Sequence, residues 1–394
     1  MYAYVHIPFC KSKCTYCDFF SIARSSKTLE SALDNYVDAI LNQAKYEIEK
    51  HSITQWNSIY IGGGTPSLLS LNNVSTLLQG LQKICPLQKN AEITFEVNPC
   101  DIAQKGFEYL EKLSTNGINR VSCGIQSLND NVLEFVKRRS TKAECLQTLE
   151  LLAKWKQKYN TQFSVDAIAG LPGLSNTDFL DGLKTMLSFN PDHISMYSLM
   201  IEEGTELCHL IDSQKIEYDF DFTDEQWLLG LEYLKANGFS QYEVSNFAKN
   251  EEAESEHNKS YWRMDDYLGL GCTACGTIGN KRYSGTKNIE QYCNFWSNPH
   301  QIEIVPETIT LVENLTKEDQ MLEFLMMGFR TNRGVDSTEF ANRFGQELDS
   351  KIGSTFTKWE LQNLAKKENG FYALTESGLL QLNKFLSDIV SDGF

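Results

Sequence analysis

The stretch HIPFCKSKCTYCDFF, residues 6–20, contains three cysteines within eight positions. Cys10, Cys14 and Cys17 are separated by three residues and then by two, so one short loop brings their sulfurs together. Thiolates bind transition metals, and closely spaced cysteines indicate a metal site. The question is why this loop, the cysteine loop (residues 10–17), carries three ligands and not four.

Two kinds of metal centre are compatible with three cysteines. A structural zinc ion usually takes four ligands, and Cys272 and Cys275 form a second close pair that could complete the site. A 4Fe-4S cluster bound by three thiolates instead leaves one iron open to another molecule. The amino nitrogen and carboxylate of S-adenosylmethionine (SAM) can chelate that iron, with the sulfonium close enough to accept an electron. The loop therefore predicts either zinc or a cluster that binds SAM.

The overall composition narrows the classes of partner. A formal net charge of −16 argues against nucleic acid and anionic membranes, and the sharpest basic cluster, residues 137–139, is short. The first residues do not resemble a signal peptide, and no stretch reaches transmembrane length. We therefore expect a cytoplasmic protein that binds no nucleic acid and has no integral membrane segment.

The remaining cysteines do not suggest a disulfide framework. The chain has 11 cysteines, an odd number, and no signal peptide is evident. Six of them stand singly, and we expect each to be buried as a small apolar residue. These are Cys85, Cys100, Cys123, Cys145, Cys208 and Cys293.

Runs rich in β-branched and aromatic residues alternate about six times with segments of helical periodicity. The predicted strands are 2–7, 58–61, 92–97, 120–125, 163–169 and 193–199, and the predicted helices include 31–50, 73–84, 106–117 and 142–159. Repeated units of this kind form a parallel sheet covered by helices. The α/β sheet could be a partial barrel or a doubly wound open sheet.

The positions of the polar residues favour the barrel, because functional residues of barrels lie at the carboxyl ends of the strands. The residues at or near those ends are Cys10, the turn 62–65, Glu96, Asn98, Gln126 and Asp166. They would all fall on one rim, which predicts a single large site.

Three regions are predicted along the chain. Residues 1–215 would form the partial barrel, and residues 216–305 would extend it with an acidic, loop-like segment (250–262) and a Gly-rich strand (267–279). Residues 306–394 would form a small, mainly helical domain of winged-helix type.

Several motifs resemble the radical SAM superfamily. The spacing of the cysteine loop, with Tyr16 before its last cysteine, resembles the cluster motif, and GGGTPS (62–67) resembles the turn after the second strand. The segments YVHIPFC, ITFEVNP, RVSCGIQS, VDAIAGLPG and YLGLG resemble the coproporphyrinogen dehydrogenase branch over nearly the whole chain. The resemblance implies a partial (β/α)6 TIM-like barrel, a 4Fe-4S cluster on Cys10, Cys14 and Cys17, and SAM beside the cluster.

By the same resemblance, ten residues would line the SAM site. They are Tyr4, Tyr16, Gly63, Gly64, Thr65, Glu96, Gln126, Arg138, Asp166 and Met200. Glu96 can accept from an ammonium group, Arg138 can pair with a carboxylate, and Asp166 can bond ribose hydroxyls. The alternative for Glu96 and Asp166 is a strand-end acid that caps a loop.

Two departures separate the chain from the decarboxylating members of this branch. Those proteins have a fourth cysteine two positions after the third, where this chain has Phe19, and a long N-terminal arm before the cluster. Here only nine residues precede Cys10. Both departures favour the related haem chaperones of the HemW type, so we expect SAM to be bound, and able to be cleaved, without dehydrogenase activity.

The segment HNKSYW, residues 257–262, resembles the HNxxYW motif of these chaperones. His257 would be an axial ligand of haem iron, with Tyr261 and Trp262 packing on the macrocycle. The alternative is an exposed histidine beside the acidic segment, or one that caps a helix.

Cys275 stands where family members often have histidine. It could be a second haem ligand, a soft metal ligand with Cys272, or a neutral core residue, and we favour the core residue.

The sequence therefore predicts a radical SAM protein that carries haem as cargo and delivers it to an acceptor haemoprotein. An electron donor such as flavodoxin or ferredoxin is an expected partner. The alternative function is oxygen-independent oxidative decarboxylation of coproporphyrinogen III, and a third is a zinc-binding structural protein.

Overall fold

A computed structural model of the chain describes residues 1–23, 26–297, 302 and 304–394. Seven parallel strands form the middle of a twelve-stranded sheet. In spatial order they are Tyr267–Leu270, Tyr2–Ile7, Trp56–Gly63, Leu87–Val97, Arg120–Gln126, Gln162–Ala169 and His193–Ser198. The last six follow chain order without reversal, as in a barrel, whereas a doubly wound sheet reverses its order. The predicted partial barrel is confirmed, and the alternative of a doubly wound sheet is wrong.

Helices connect the parallel strands and cover the outside of the sheet. Their bounds are Ser26–His51, Leu71–Ile84, Pro99–Thr115, Asp130–Phe135, Lys142–Tyr159, Asn176–Ser188, Glu206–Asp212 and Phe220–Ala236. Reciprocal capping boxes start two of them, Ser70 with Asn73 and Thr141 with Glu144. Such caps satisfy backbone N–H groups that the first helical turn leaves free.

The strands alternate between apolar residues under the helices and polar residues inside the barrel. In the strand Arg120–Gln126, Val121, Cys123 and Ile125 are buried in the core, whereas Ser122 and Gly124 face the interior. This period of two is the ordinary geometry of a strand. The interior is consequently hydroxyl-rich and leaves room for a ligand.

Short antiparallel strands extend both edges of the sheet. Asn246–Ala248 and Ser240–Gln241 lie beyond the sixth barrel strand, and Cys275–Ile278, Lys281–Gly285 and Thr310–Asn314 lie beyond Tyr267–Leu270. The predicted Gly-rich strand 267–279 is therefore two strands. The predicted acidic loop contains a helix, Glu256–Trp262, which we call the floor helix because it closes the amino end of the barrel.

The C-terminal part has a separate hydrophobic core, built from residues between Met321 and Ile389. Its elements are the helices Lys317–Gly328, Ser337–Phe344, Leu348–Glu360, Glu376–Leu379 and Leu382–Ser391, with a three-stranded sheet of Val335–Asp336, Phe371–Leu374 and Ala365–Glu368. The helix Ile289–Trp296 belongs to the barrel core. Within the described ranges, no helix is both long and apolar enough to cross a membrane.

Burial of the single cysteines is confirmed for four of six. Cys85, Cys100, Cys123 and Cys145 are buried, whereas Cys208 and Cys293 are partly exposed, so the prediction is wrong for those two. Cys208 lies on a surface helix, where its thiol is 3.4 Å from Asp212 Oδ2.

Candidate functional site

A cavity of about 410 Å³ extends from the cysteine loop into the barrel interior. Its volume lies in the range of small-molecule sites. Nine of the ten residues predicted for SAM line it, together with the three cysteines of the loop. The nine are Tyr16, Gly63, Gly64, Thr65, Glu96, Gln126, Arg138, Asp166 and Met200.

The cysteine loop is attached to the barrel at two points. Thr15 N donates to Val136 O at 3.1 Å, and Leu207 N donates to Thr15 O at 2.9 Å. All three thiols are free and partly exposed, and all three line the cavity. Burial, reinforced by the neighbouring Cys14 and Cys10 thiols, raises the pKa of Cys17.

Zinc and a 4Fe-4S cluster place different demands on these thiols. Among the described residues, no three His, Cys, Asp or Glu side chains converge closely enough to hold one metal ion. A cubane does not require such convergence, because each thiolate binds a different iron. Cys272 is buried and Cys275 is exposed, and among the described residues neither belongs to a group of three possible metal ligands. The exposure of Cys275 also shows that the core role favoured for it is wrong.

The turn after the second barrel strand brings its backbone against the cysteine loop. Gly63 has φ of 111°, a conformation that favours glycine. A Cβ atom on Gly64 would lie 2.8 Å from Phe9 O and 2.9 Å from Ile7 O, so only glycine fits there. Thr65 Oγ1 lies 3.3 Å from Cys10 Sγ. The absence of side chains keeps this edge of the cavity open.

Glu96 presents a carboxyl group to the cavity near the end of its strand. It accepts from Tyr60 Oη at 2.7 Å and from Gly63 N at 3.1 Å. Burial raises the pKa of Glu96 to about 7, against the lowering effect of those hydrogen bonds. The group can therefore bind a cation or hold a proton near neutral pH.

Asp166 also lines the cavity, on the second strand along the sheet from that of Glu96. Its two carboxylate oxygens accept from Ser122 Oγ at 3.1 and 3.3 Å. Burial raises the pKa of Asp166, although hydrogen bonds from Ser195 and Ser122 oppose this. Glu96 accepts from a backbone N–H of the turn, as the alternative role of loop cap predicts, whereas Asp166 accepts from serine side chains.

Two of the side chains predicted for SAM retain unused polar atoms. Arg138 donates to Gly124 O and lies 3.9 Å from Cys14 Sγ, but its Nε has no partner among the described residues. Gln126 Oε1 likewise has no partner within the described part of the chain. Buried polar atoms are normally paired, so these two fit a site that is completed by a ligand.

Tyr4 and Met200 occupy different positions from the other predicted residues. Tyr4 is the predicted residue that does not line the cavity; its hydroxyl lies 3.0 Å from His6 Nδ1 and its ring centroid 6.1 Å from that of Tyr60. Met200 lies at the mouth and is 69% exposed, and Phe19 beside the cysteine loop is 66% exposed. The mouth therefore carries two exposed apolar side chains.

Several residues that line the interior were not predicted from the sequence, including Tyr60, Ser122, Ser195 and Tyr197. Each of them lies in a predicted strand. Each either pairs with a residue predicted for the SAM site or alternates along its strand with buried apolar residues. The period of two could have identified them, because it separates interior from core positions.

His257 lies in the floor helix and is 1% exposed, so the alternative of an exposed histidine is wrong. Its Nδ1 is 2.7 Å from Ser58 Oγ and its Nε2 is 2.8 Å from Tyr261 Oη. Burial lowers the pKa of His257 to about 3, so the ring is neutral. Both ring nitrogens are engaged, and His257 is not a lining residue of the cavity. Coordination of haem iron would require one hydrogen bond to break and the floor to open.

The basic cluster at residues 137–139 does not form a patch. Lys137 pairs with Glu206 at 2.6 Å on the surface, and Arg139 pairs with buried Asp101 at 2.8 Å. Arg138 lines the cavity. The three charges therefore serve separate contacts.

Comparison with known proteins gives family matches in both parts of the chain. Residues 4–186 match the radical SAM superfamily model, and residues 315–380 match the HemN C-terminal domain. The solved coproporphyrinogen III oxidase (HemN) of Escherichia coli has a similar fold, with a TM-score of 0.79, 20% identity, and coverage of 98% of this chain and 89% of that one.

Curated relatives extend over nearly the full length. The heme chaperone HemW of Haemophilus influenzae is 33% identical over 97% of this chain and 96% of its own. The proteins of the same name from Buchnera aphidicola (Schizaphis graminum) and Escherichia coli are each 31% identical, with the same coverage. Together with the cysteine loop and its cavity, these matches show that the chain belongs to the HemW family of the radical SAM superfamily.

Proposed function

We propose that this chain is a haem chaperone that binds a 4Fe-4S cluster and SAM in its barrel and delivers haem to an acceptor haemoprotein. The observation that carries the proposal is a loop of three free thiols that opens on a cavity lined by Glu96, Arg138 and Asp166. The names of the full-length relatives support the haem part. An electron donor such as flavodoxin or ferredoxin, and a cytoplasmic location, remain predictions.

The chain's own residues would divide the work of binding. Cys10, Cys14 and Cys17 would bind three irons, and the bound cluster would supply the electron for reductive cleavage of SAM. Glu96 would accept from the amino group of SAM, and Arg138 would donate to its carboxylate through the unpartnered Nε. The remaining lining residues would exclude water around the ligand.

Asp166 would accept from the ribose hydroxyls, because its carboxylate already faces the cavity beside two serine hydroxyls. Gln126 would contribute its free Oε1 from a backbone with φ of 68°. Non-glycine residues seldom adopt positive φ, which suits a position that aims one side chain into a site.

Replacing one cysteine of the loop tests the cluster. We expect Cys14→Ser, reconstituted anaerobically with iron and sulfide, to bind much less of both per chain than the wild type. Cys275→Ser is the matched control, because that thiol is exposed and lies outside the loop. Equal iron and sulfide in Cys14→Ser, or tightly bound zinc in place of iron, would contradict the cluster.

Separate incubations with haem and coproporphyrinogen III test the cargo. We expect the reconstituted chain to bind haem with a defined stoichiometry, to pass it to an apo-haemoprotein, and to release no decarboxylated porphyrin. Formation of that product would instead support the oxidative decarboxylase, whose fold the chain shares.

A further inference from the structure

The end of the cavity opposite the cysteine loop has a chemistry of its own. We call it the barrel floor and define it by Arg120, Ser164, His193, Ser255 and Asn258, all of which line the cavity. Arg120 and His193 are the first residues of their strands, so the floor lies at the amino ends. None of the contacts proposed for the cluster or SAM uses these residues.

Arg120 is a buried cation that donates hydrogen bonds only to neutral groups among the described residues. It is 2% exposed, and its Nη1 donates to Gln162 Oε1 at 2.9 Å and to Ala253 O at 3.0 Å. Its Nη2 has no partner among the residues that the structure describes. Its charge acts on the Asp166 carboxylate without an ion pair among the described residues, so Nη2 is left as a donor for a further anion.

The nearby carboxylates are committed to other groups. Glu92 accepts from the backbone of the floor helix, with Glu256 N at 2.9 Å and His257 N at 3.1 Å. Asp166 accepts from the serines of its own layer, higher in the barrel. Glu92 and Asp166 therefore lie near Arg120, but neither forms an ion pair with it among the described residues.

Ser164 adds a second donor to the floor. Ser255 N donates to Tyr242 Oη at 3.3 Å, and Tyr242 Oη lies 2.8 Å from His193 Nε2. If Tyr242 donates to Nε2, the neutral His193 carries its proton on Nδ1 and donates to Ser164 Oγ, 2.7 Å away. The Ser164 hydroxyl hydrogen is then free to donate into the cavity.

We propose that the barrel floor binds a carboxylate group of a ligand that enters this cavity, between the Arg120 guanidinium and the Ser164 hydroxyl. A carboxylate accepts from several donors at once, and its charge would balance that of Arg120. This site does not depend on the proposed function, because it uses neither the cluster nor haem.

Acetate, with acetamide as the neutral control of the same shape, tests the site in the full-length chain without cluster or haem. We expect acetate, but not acetamide, to show saturable binding by ligand-observed NMR and to raise the melting temperature. In Arg120→Met the dissociation constant of acetate should rise at least about tenfold, since a charge-assisted hydrogen bond is lost. Arg120→Lys, which keeps the charge with fewer donors, should be intermediate.

Gln162→Leu separates anion binding from a structural role of Arg120. It removes the neutral partner of Nη1 and the bond from Gln162 Nε2 to Glu252 O, but it keeps the guanidinium. We expect it to bind acetate like the wild type. Equal effects of acetate and acetamide on the wild type, a measurement that needs no variant, would overturn the proposal. So would unchanged acetate binding in a folded Arg120→Met.

Haem and haem dimethyl ester then identify the source of the carboxylate. If esterification weakens binding to the wild type but not to Arg120→Met, a propionate of haem occupies the floor. If esterification has no effect while acetate binds, the site takes the carboxylate of a smaller ligand. The acetate result stands even if the chain binds no haem, so failure of the haem function and failure of this site are distinguishable.

Discussion

Glu96 is the residue whose chemistry depends most on its surroundings. Its carboxyl accepts from Tyr60 and Gly63, yet burial raises its pKa to about 7. In the unfolded chain the pKa of a glutamate is about 4.3. Between these two values the folded chain binds more protons than the unfolded chain, so this group makes folding less favourable as the pH rises.

The pH dependence of stability tests this property of Glu96. We expect the free energy of unfolding of the ligand-free wild type to contain a component that falls as the pH rises from about 4.5 to 7. Glu96→Gln should lack this component and be more stable than the wild type at pH 8, by on the order of 1 kcal/mol. Urea unfolding at several pH values measures the difference, and a variant less stable than the wild type at pH 8 would contradict the pKa assignment.

The floor helix, Glu256–Trp262, is the element whose role differs most from its prediction. It connects the floor to two barrel strands, through His257 to Ser58 and through its first N–H groups to Glu92. The ring of His257 also lies 5.1 Å from that of Tyr60, which donates to Glu96. The helix thus supports one wall of the cavity as well as closing its end.

Replacing His257 distinguishes a structural role in the floor helix from a role as a ligand of haem iron. We expect His257→Ala to lower the free energy of unfolding by about 2–4 kcal/mol, because buried hydroxyls of Ser58 and Tyr261 lose their partner. The absorption spectrum of bound haem should stay unchanged. His209→Ala is the matched control, since His209 is exposed on a surface helix. If the haem spectrum changes in a folded His257→Ala variant, the result would support the prediction that His257 is an axial ligand.

The two hydrophobic cores are joined by backbone hydrogen bonds and by side-chain contacts, among them the ion pairs Arg282–Glu323 and Lys235–Glu376. Val244 N donates to Arg330 O, and Asn332 N donates to Tyr242 O, each at 3.1 Å. The C-terminal core centres on Phe385, whose ring lies 4.7 Å from that of Phe329. The cavity is built from the other core, so the two are expected to respond separately to mutation.

Truncating Phe385 tests this separation. We expect Phe385→Ala to destabilise the C-terminal core by about 3–5 kcal/mol and to speed hydrogen exchange in residues 321–389 before the barrel strands. Leu380→Ala, at a position 52% exposed, should have little effect. Equal acceleration throughout the barrel would show that the two cores unfold as one unit.

The series of strands and helices and the three cysteines at the first strand end could be predicted from the sequence alone. The periodicity of apolar residues predicts the strands and helices, and the short spacing of the cysteines predicts a shared site. Both are local properties of the sequence. Sequential strand order then made the polar strand ends converge, and nine of ten predicted residues line one cavity.

The surroundings of His257, Cys275 and Arg120 depend on tertiary packing and could not be predicted from the sequence. His257 is buried with both nitrogens engaged, Cys275 is exposed, and Arg120 is a cation without an ion-pair partner among the described residues. The neighbours responsible are distant in sequence, such as Ser58 for His257 and Ala253 for Arg120. Burial and pairing arise from packing between elements that no local pattern specifies, so the sequence identified the residues without their environment.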